Sequence, residues 1–473
     1  MQRFSLSAAE RMSGRTLRAT LLPLTLSLLA VGCSPDQSEP TPSAGTLDVY
    51  KYLAVGDGYT AGISDGGLTA TGQQYAYPNL IAQQLIRINP AATFTQGVLP
   101  AGVGTGYLTL RGISDRGLPQ TTYVARNRAV RGTYSINAAA CGGPDTTFLY
   151  AQAPASPLSQ NLGVPGLGLA QIEVAGLGNT ANQSRYGSFN SYFERLLPTN
   201  DNRTYLQTVT DASSSATFFT FFMGLGDALP YVLSGGECIT PPVSATLNAN
   251  AKKVLDRLTV GGRQGIIALL PTLQNLPVLR LGGKDGIRSS LTQGASPDSI
   301  YVTSSVAYST VIREVRAISA SDYILPAGLQ QLGASRTVTL PGGGTRTVGY
   351  GLSKRAPIES KYVLDYLEYN KVGPQIIALS TELKRLAEVE YKLPTVDLEN
   401  ELFTQVNNRI SVNGVEYSSE PVRGNFYSLD LYSLTPRGNA LLANAFIRAI
   451  NRNYQANIPF VDPNALPTTA RPQ

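Results

Sequence analysis

The chain has 473 residues, 42% of them hydrophobic and 15% charged, so it can bury a large core. Its 46 glycines and 30 prolines imply many turns and long loops and exclude a simple helical bundle. The formal charge is +6, of which +3 sits at the N-terminus (Arg3, Arg11, Arg15 and Arg18 against Glu10), leaving a balance too weak for a nucleic-acid partner. With no histidine anywhere, the commonest general base and transition-metal ligand is missing.

The first predicted element is an address. Four arginines precede the apolar run Leu21 to Val31, which is too short for a comfortable bilayer span and ends in Gly32-Cys33. This reads as a secretory signal over residues 1–32. Gly32-Cys33 resembles the lipobox of bacterial lipoproteins, which implies lipidation of Cys33 and a membrane partner reached through the anchor. Residues 33–48, with Pro35, Pro40 and Pro42 among polar residues, read as a flexible tether. Cys141 and Cys238 then remain. Outside the cytoplasm they are candidates for a disulfide worth about 4–5 kcal/mol, the alternative being two buried free thiols.

Next comes Tyr52-Leu53-Ala54-Val55, an apolar run that stops at Gly56-Asp57-Gly58, as a buried strand does when it turns sharply at its end. Pro78 opens an amphipathic helix carrying Leu80, Ile81, Leu85 and Ile88. Residues from about 90 to 160 read as a loop-like insertion over the strand ends, without a helix. Asn161 to Gly166 form a second punctuated turn. Thr217 to Met223 is a continuous apolar, aromatic strand leading into Gly224-Leu225-Gly226-Asp227. A helix around 247–258 and a strand over Gly265 to Leu270 follow, closed by Pro271. Residues 281–350 read as a second irregular insertion, with Gly342-Gly343-Gly344 as a hairpin tip. Gly373-Pro374 is expected to open a helix, Leu393 to Asp397 to form a short strand, and Thr435-Pro436 to cap the final helix. Alternating strands and helices predict one doubly wound three-layer α/β/α domain over 49–463, with a parallel sheet, long insertions and a tail over 464–473; ligands of such sheets bind at the carboxyl ends of the strands.

Together the turns resemble the SGNH/GDSL hydrolase superfamily, in particular a lipoprotein subgroup, from about Tyr52 to Pro463. The matching blocks are Val55 to Gly62, Asn161 to Gly166, Gly224 to Asp227, and Asp430 to Gly438. The resemblance implies a flavodoxin-like sheet, a serine nucleophile in the first block, oxyanion donors in the next two, and an Asp-x-x-His orienter and base in the last. Here the serine position is Gly58, the asparagine position Gly226 and the histidine position Ser433, while Gly166 and Asp430 remain. That departure implies a carboxylic-ester hydrolase fold without its catalytic groups, and no cofactor. The expected role is binding or scaffolding in the cell envelope, at the periplasmic or surface face of the outer membrane, with an acylated glycan or lipid as ligand.

Two substitutes for the missing groups are open to the sequence. Hydroxyls at Thr60, Ser64, Ser428 or Ser433 with Lys51 or Lys354 as base would give a divergent ester hydrolase. Asp57, Asp227 and Asp430 would offer oxygen ligands to Ca²⁺ or Mg²⁺. The plainer expectation for all three, Asp57, Asp227 and Asp430, is that each accepts backbone N–H bonds and pins a turn, with no metal site.

Overall fold

The computed structural model describes residues 41–471 apart from 116, 136–145, 155–157, 184–186, 238, 291–299 and 307–308. The signal segment, Cys33, most of the tether, Cys141 and Cys238 therefore lie outside the described residues. From Pro42 onward the chain forms one compact unit.

Its centre is a five-stranded, all-parallel sheet built from β1 (Tyr52–Gly56), β2 (Asn161–Gly163), β3 (Phe218–Phe222), β4 (Gln264–Leu269) and β5 (Thr395–Asp397). The spatial order is β2-β1-β3-β4-β5, a common doubly wound order whose direction reverses beside β1. β3 lies in the middle because it is apolar on both faces. All four of its phenylalanines are fully buried, each contributing roughly 2–3 kcal/mol of burial. Its one polar side chain, Thr220, is matched at 2.7 Å by the hydroxyl of Tyr52, which stands two positions along on β1 from Thr220's register partner Ala54.

Helices cover both faces. On one, α1 (Tyr77–Ile88) packs against α6 (Pro436–Tyr454), with the Tyr77 and Phe446 rings stacked at 4.9 Å. On the other, α4 (Ser244–Leu258) packs between α2 (Tyr205–Ser213) and α5 (Tyr366–Arg385), and α5 also meets α3 (Leu225–Leu233). The Ser380 hydroxyl on α5 accepts from Leu270 N–H just beyond β4, fixing that helix to the sheet's carboxyl edge. Among the described residues no helix is long and apolar enough to cross a membrane.

Several expectations need correction. Pro374 does not open α5 but lies inside it. The true start is Asp365, whose carboxylate accepts from Glu368 N–H while the Glu368 side chain accepts from Asp365 N–H, a capping box that starts the helix eight residues before Gly373. The first insertion is not merely loop. It contains the antiparallel ribbons Tyr107–Ile113 with Pro119–Val124 and Val130–Ser135 with Thr146–Tyr150. The second insertion is not irregular either: it holds the hairpins Tyr301–Val306/Ser309–Ala317 and Ser335–Thr339/Thr345–Gly349, the latter turning at Gly342 to Gly344. A second apolar cluster joins Ile287, Val302, Ile324 and Leu329 of this insertion to Leu118, Ile358 and Val363 outside it.

Candidate ligand site at the switch point

The carboxyl ends of β1, β2 and β3 converge where the strand order reverses. After β1, Asp57 caps a single helical turn, Gly58–Ala61. After β2, Val164-Pro165-Gly166-Leu167 makes a type II turn: Leu167 N–H donates to Val164 carbonyl at 3.2 Å, and Gly166 takes the positive φ of 69° that this turn requires. After β3, Gly224 leads directly into α3.

Asp57 ties two of these turns together. Its carboxylate, 1% exposed, accepts from Gly226 N–H at 2.8 Å and from Gly224 and Tyr59 N–H at 3.3 Å. Burial pushes its pKa from 3.8 up to about 6, against the pull of those backbone donors. Asp227 does the same for the third junction, accepting from Leu169 and Ala170 N–H at 2.7 and 2.9 Å, with burial raising it to about 7. Both carboxylates are thus occupied by backbone. Among the described residues no group of acids has the arrangement of a metal site.

Between the turns lies a cavity of about 130 Å³ lined by Gly58, Gly166, Gly226 and Ser433 together with Ile63, Leu229 and Leu233. The four sequence positions singled out at the turns therefore meet in one place. Gly58 and Gly166 share a further property: neither N–H has an acceptor among the described residues. The walls are apolar, and Tyr59 and Tyr432 close the side opposite α3, the Tyr59 hydroxyl donating to the Tyr432 carbonyl. Sequence reasoning missed these walls. Leu229 and Leu233 stand one helical turn apart on α3, a spacing that would have marked them once Gly224 was recognised as a helix start.

Asp430 stands behind Ser433 rather than in the cavity. It accepts from Gly66 and Ser433 N–H at 2.8 Å each, from Tyr432 N–H at 3.1 Å, and from the Ser428 and Ser433 hydroxyls. Ser428 also accepts from Asp65 N–H at 2.9 Å and contacts the Ser433 hydroxyl at 2.7 Å. This closed network orients Ser433, and among the described residues the only carboxylate hydrogen-bonded to it is Asp430, already occupied by backbone and serine donors.

No lysine joins these hydroxyls. Lys51 donates to Ser215 at 2.6 Å, at the start of β1 and so at the amino edge of the sheet, while Lys354 lies over the Tyr301 ring in the second insertion. Thr60 is turned inward, donating to the Phe222 carbonyl at 3.3 Å. The Ser–Lys arrangement is not assembled.

The glycines differ in what they would tolerate. A side-chain carbon at Gly226 would lie 2.3 Å from the Leu167 carbonyl oxygen, so the approach of β2's turn to α3 depends on its absence. At Gly58 the nearest atom to such a carbon is 3.8 Å away, and a side chain has room. No family model, curated protein or solved structure matches the chain.

Proposed function

We propose that this chain is a ligand-binding, catalytically silent relative of the SGNH/GDSL hydrolases, held at a cell-envelope membrane through lipidated Cys33. The observation that carries the reading is the cavity itself. Gly58, Gly166, Gly226 and Ser433 line one apolar space at the switch point of a sheet in flavodoxin-like order, where ligands of doubly wound folds bind. Its volume of about 130 Å³ is close to the roughly 150 Å³ of an engineered apolar cavity that takes benzene, so the fitting group is a short acyl chain. The unaccepted N–H groups of Gly58 and Gly166 suit the carbonyl oxygen of an ester or amide.

Chemistry is disfavoured by what the wall lacks. Without a nucleophile at Gly58 and with no imidazole in the chain, a bound ester meets donors but no attacking atom. Calorimetric titration of the full chain with p-nitrophenyl butyrate should show saturable binding, while absorbance shows no release of p-nitrophenolate above the buffer rate. Gly58→Leu, which fills the cavity, should abolish that binding with circular dichroism unchanged. Absence of saturable binding in the parent chain sinks the proposal. Turnover lost in Ser433→Ala would replace it with hydrolysis by the wall hydroxyl.

A further inference from the structure

A second cavity, of about 760 Å³, lies away from the first, between the segment that follows β4 and the residues that follow β5. One wall belongs to the sheet domain, through Pro277, Asn407 and Ser419; the other belongs to the second insertion, through Gly283 and Tyr323. Its size falls within the range of small-molecule sites.

The side chain that gives the groove a chemical direction is Arg280. Its guanidinium donates to Asn407 Oδ1 at 3.2 Å and to the Ser419 hydroxyl, both neutral acceptors. Among the described residues no carboxylate lies within ion-pair distance of it. Arg409, in the same groove, is instead neutralised by Glu416 at 2.9 Å and Glu420 at 3.6 Å. Asn407 is in turn held in place: its amide donates to Asn275 Oδ1 at 3.0 Å, and Asn275 donates to Glu399, which also accepts from Thr272 N–H at 2.8 Å. A cation is thus oriented through a chain of amides; Asp285 and Glu420 also line the groove, and Glu420 is taken up by Arg409.

Holding an exposed arginine in one geometry costs side-chain entropy, which a solvated surface residue does not spend. An oriented, uncompensated guanidinium presents its planar fork to an oxyanion, the pairing in which arginine gains most. We infer that this groove is a second ligand site, which takes a carboxylate or phosphate group carried on a polar, sugar-sized body. Arg280 contacts the anion, and Asn407 is a positioning residue. The polar lining, with Gln274, Ser418, Asp285 and Glu420 beside the aromatic Tyr323, suits a polyhydroxylated body over an acyl chain.

The test uses the full chain titrated by calorimetry with glucose 6-phosphate, glucuronate, inorganic phosphate and glucose. Saturable binding of a charged sugar, with glucose at least tenfold weaker, is expected; which of the two charged sugars binds tells phosphate from carboxylate. Arg280→Gln should weaken that binding roughly tenfold or more, Arg280→Lys less, and Asn407→Ala about threefold to fivefold with an unchanged melting temperature. Gly58→Leu should leave it unaltered, which separates this site from the acyl cavity. Failure of both charged sugars to bind, or equal affinity in Arg280→Gln, overturns the site. Inorganic phosphate binding as tightly as glucose 6-phosphate overturns the sugar-sized body.

Discussion

Asp57 and Asp227 are acids whose native pKa values, about 6 and about 7, exceed the ordinary 3.8 because burial disfavours their charge. The native state therefore holds their protons more tightly than the unfolded chain does. The stability this contributes is complete below about pH 4 and is lost as pH rises through 6 to 7. The stability gap between the parent chain and Asp57→Asn should accordingly move against the parent by on the order of 3 kcal/mol between pH 4 and pH 8, read from urea unfolding at each pH. The glycines give a steric contrast at the same scale. Gly58→Ser should change stability by less than about 0.5 kcal/mol, whereas Gly226→Asn must displace the Leu167 carbonyl and should cost about 1–3 kcal/mol. Installing the groups that the proposed reading finds missing, by Gly58→Ser, Gly226→Asn and Ser433→His, would thus be limited at its middle step, by backbone proximity rather than by chemistry.

Among the elements, α5 shows how a cap outranks a proline. Asp365 serves three partners at once, accepting from Glu368 N–H at 3.0 Å, Ser305 N–H at 2.7 Å and the Ser304 hydroxyl at 3.2 Å. Asp365→Ala should lower stability by about 2–4 kcal/mol, leaving buried donors unanswered in both the helix and the second insertion. The urea midpoint reads this directly, and binding in the acyl cavity should persist. The same residue shows where sequence reading fell short. Asp365 and Glu368 form a legible capping signature, but Gly373-Pro374 offers a more familiar one that competes with it. β1, β3 and β4 were legible because continuous apolar runs ended in glycine or proline. The ribbons at 107–124 and 130–150 were not, since strands half exposed on both faces carry no alternation of apolar and polar residues. For the site, the turn glycines named the floor of the cavity, but the walls came from side chains such as Ile63 and Leu233 that only tertiary packing brings together.

At the scale of the whole molecule, stability is expected to be graded from the sheet outward. Amide exchange should be slowest in β1, β3 and β4 and fastest in the exposed hairpin Ser335–Thr339/Thr345–Gly349; equal protection across both would contradict this order. The second apolar cluster was invisible to sequence because its members are scattered from Leu118 to Val363 and meet only after folding. β3 carries one more consequence. Both edge strands of the sheet, β2 and β5, are only three residues long, so the central sheet offers neighbours little to pair with. Phe218-Phe219-Thr220-Phe221-Phe222 has no charge and no proline, and it is sheltered only while β1 and β4 stay paired to it. Once heat frees that segment, self-association between chains competes with refolding, and melting temperatures should rise with scan rate and fall with protein concentration. Correct folding therefore depends on keeping these five residues apart from their copies until the sheet closes.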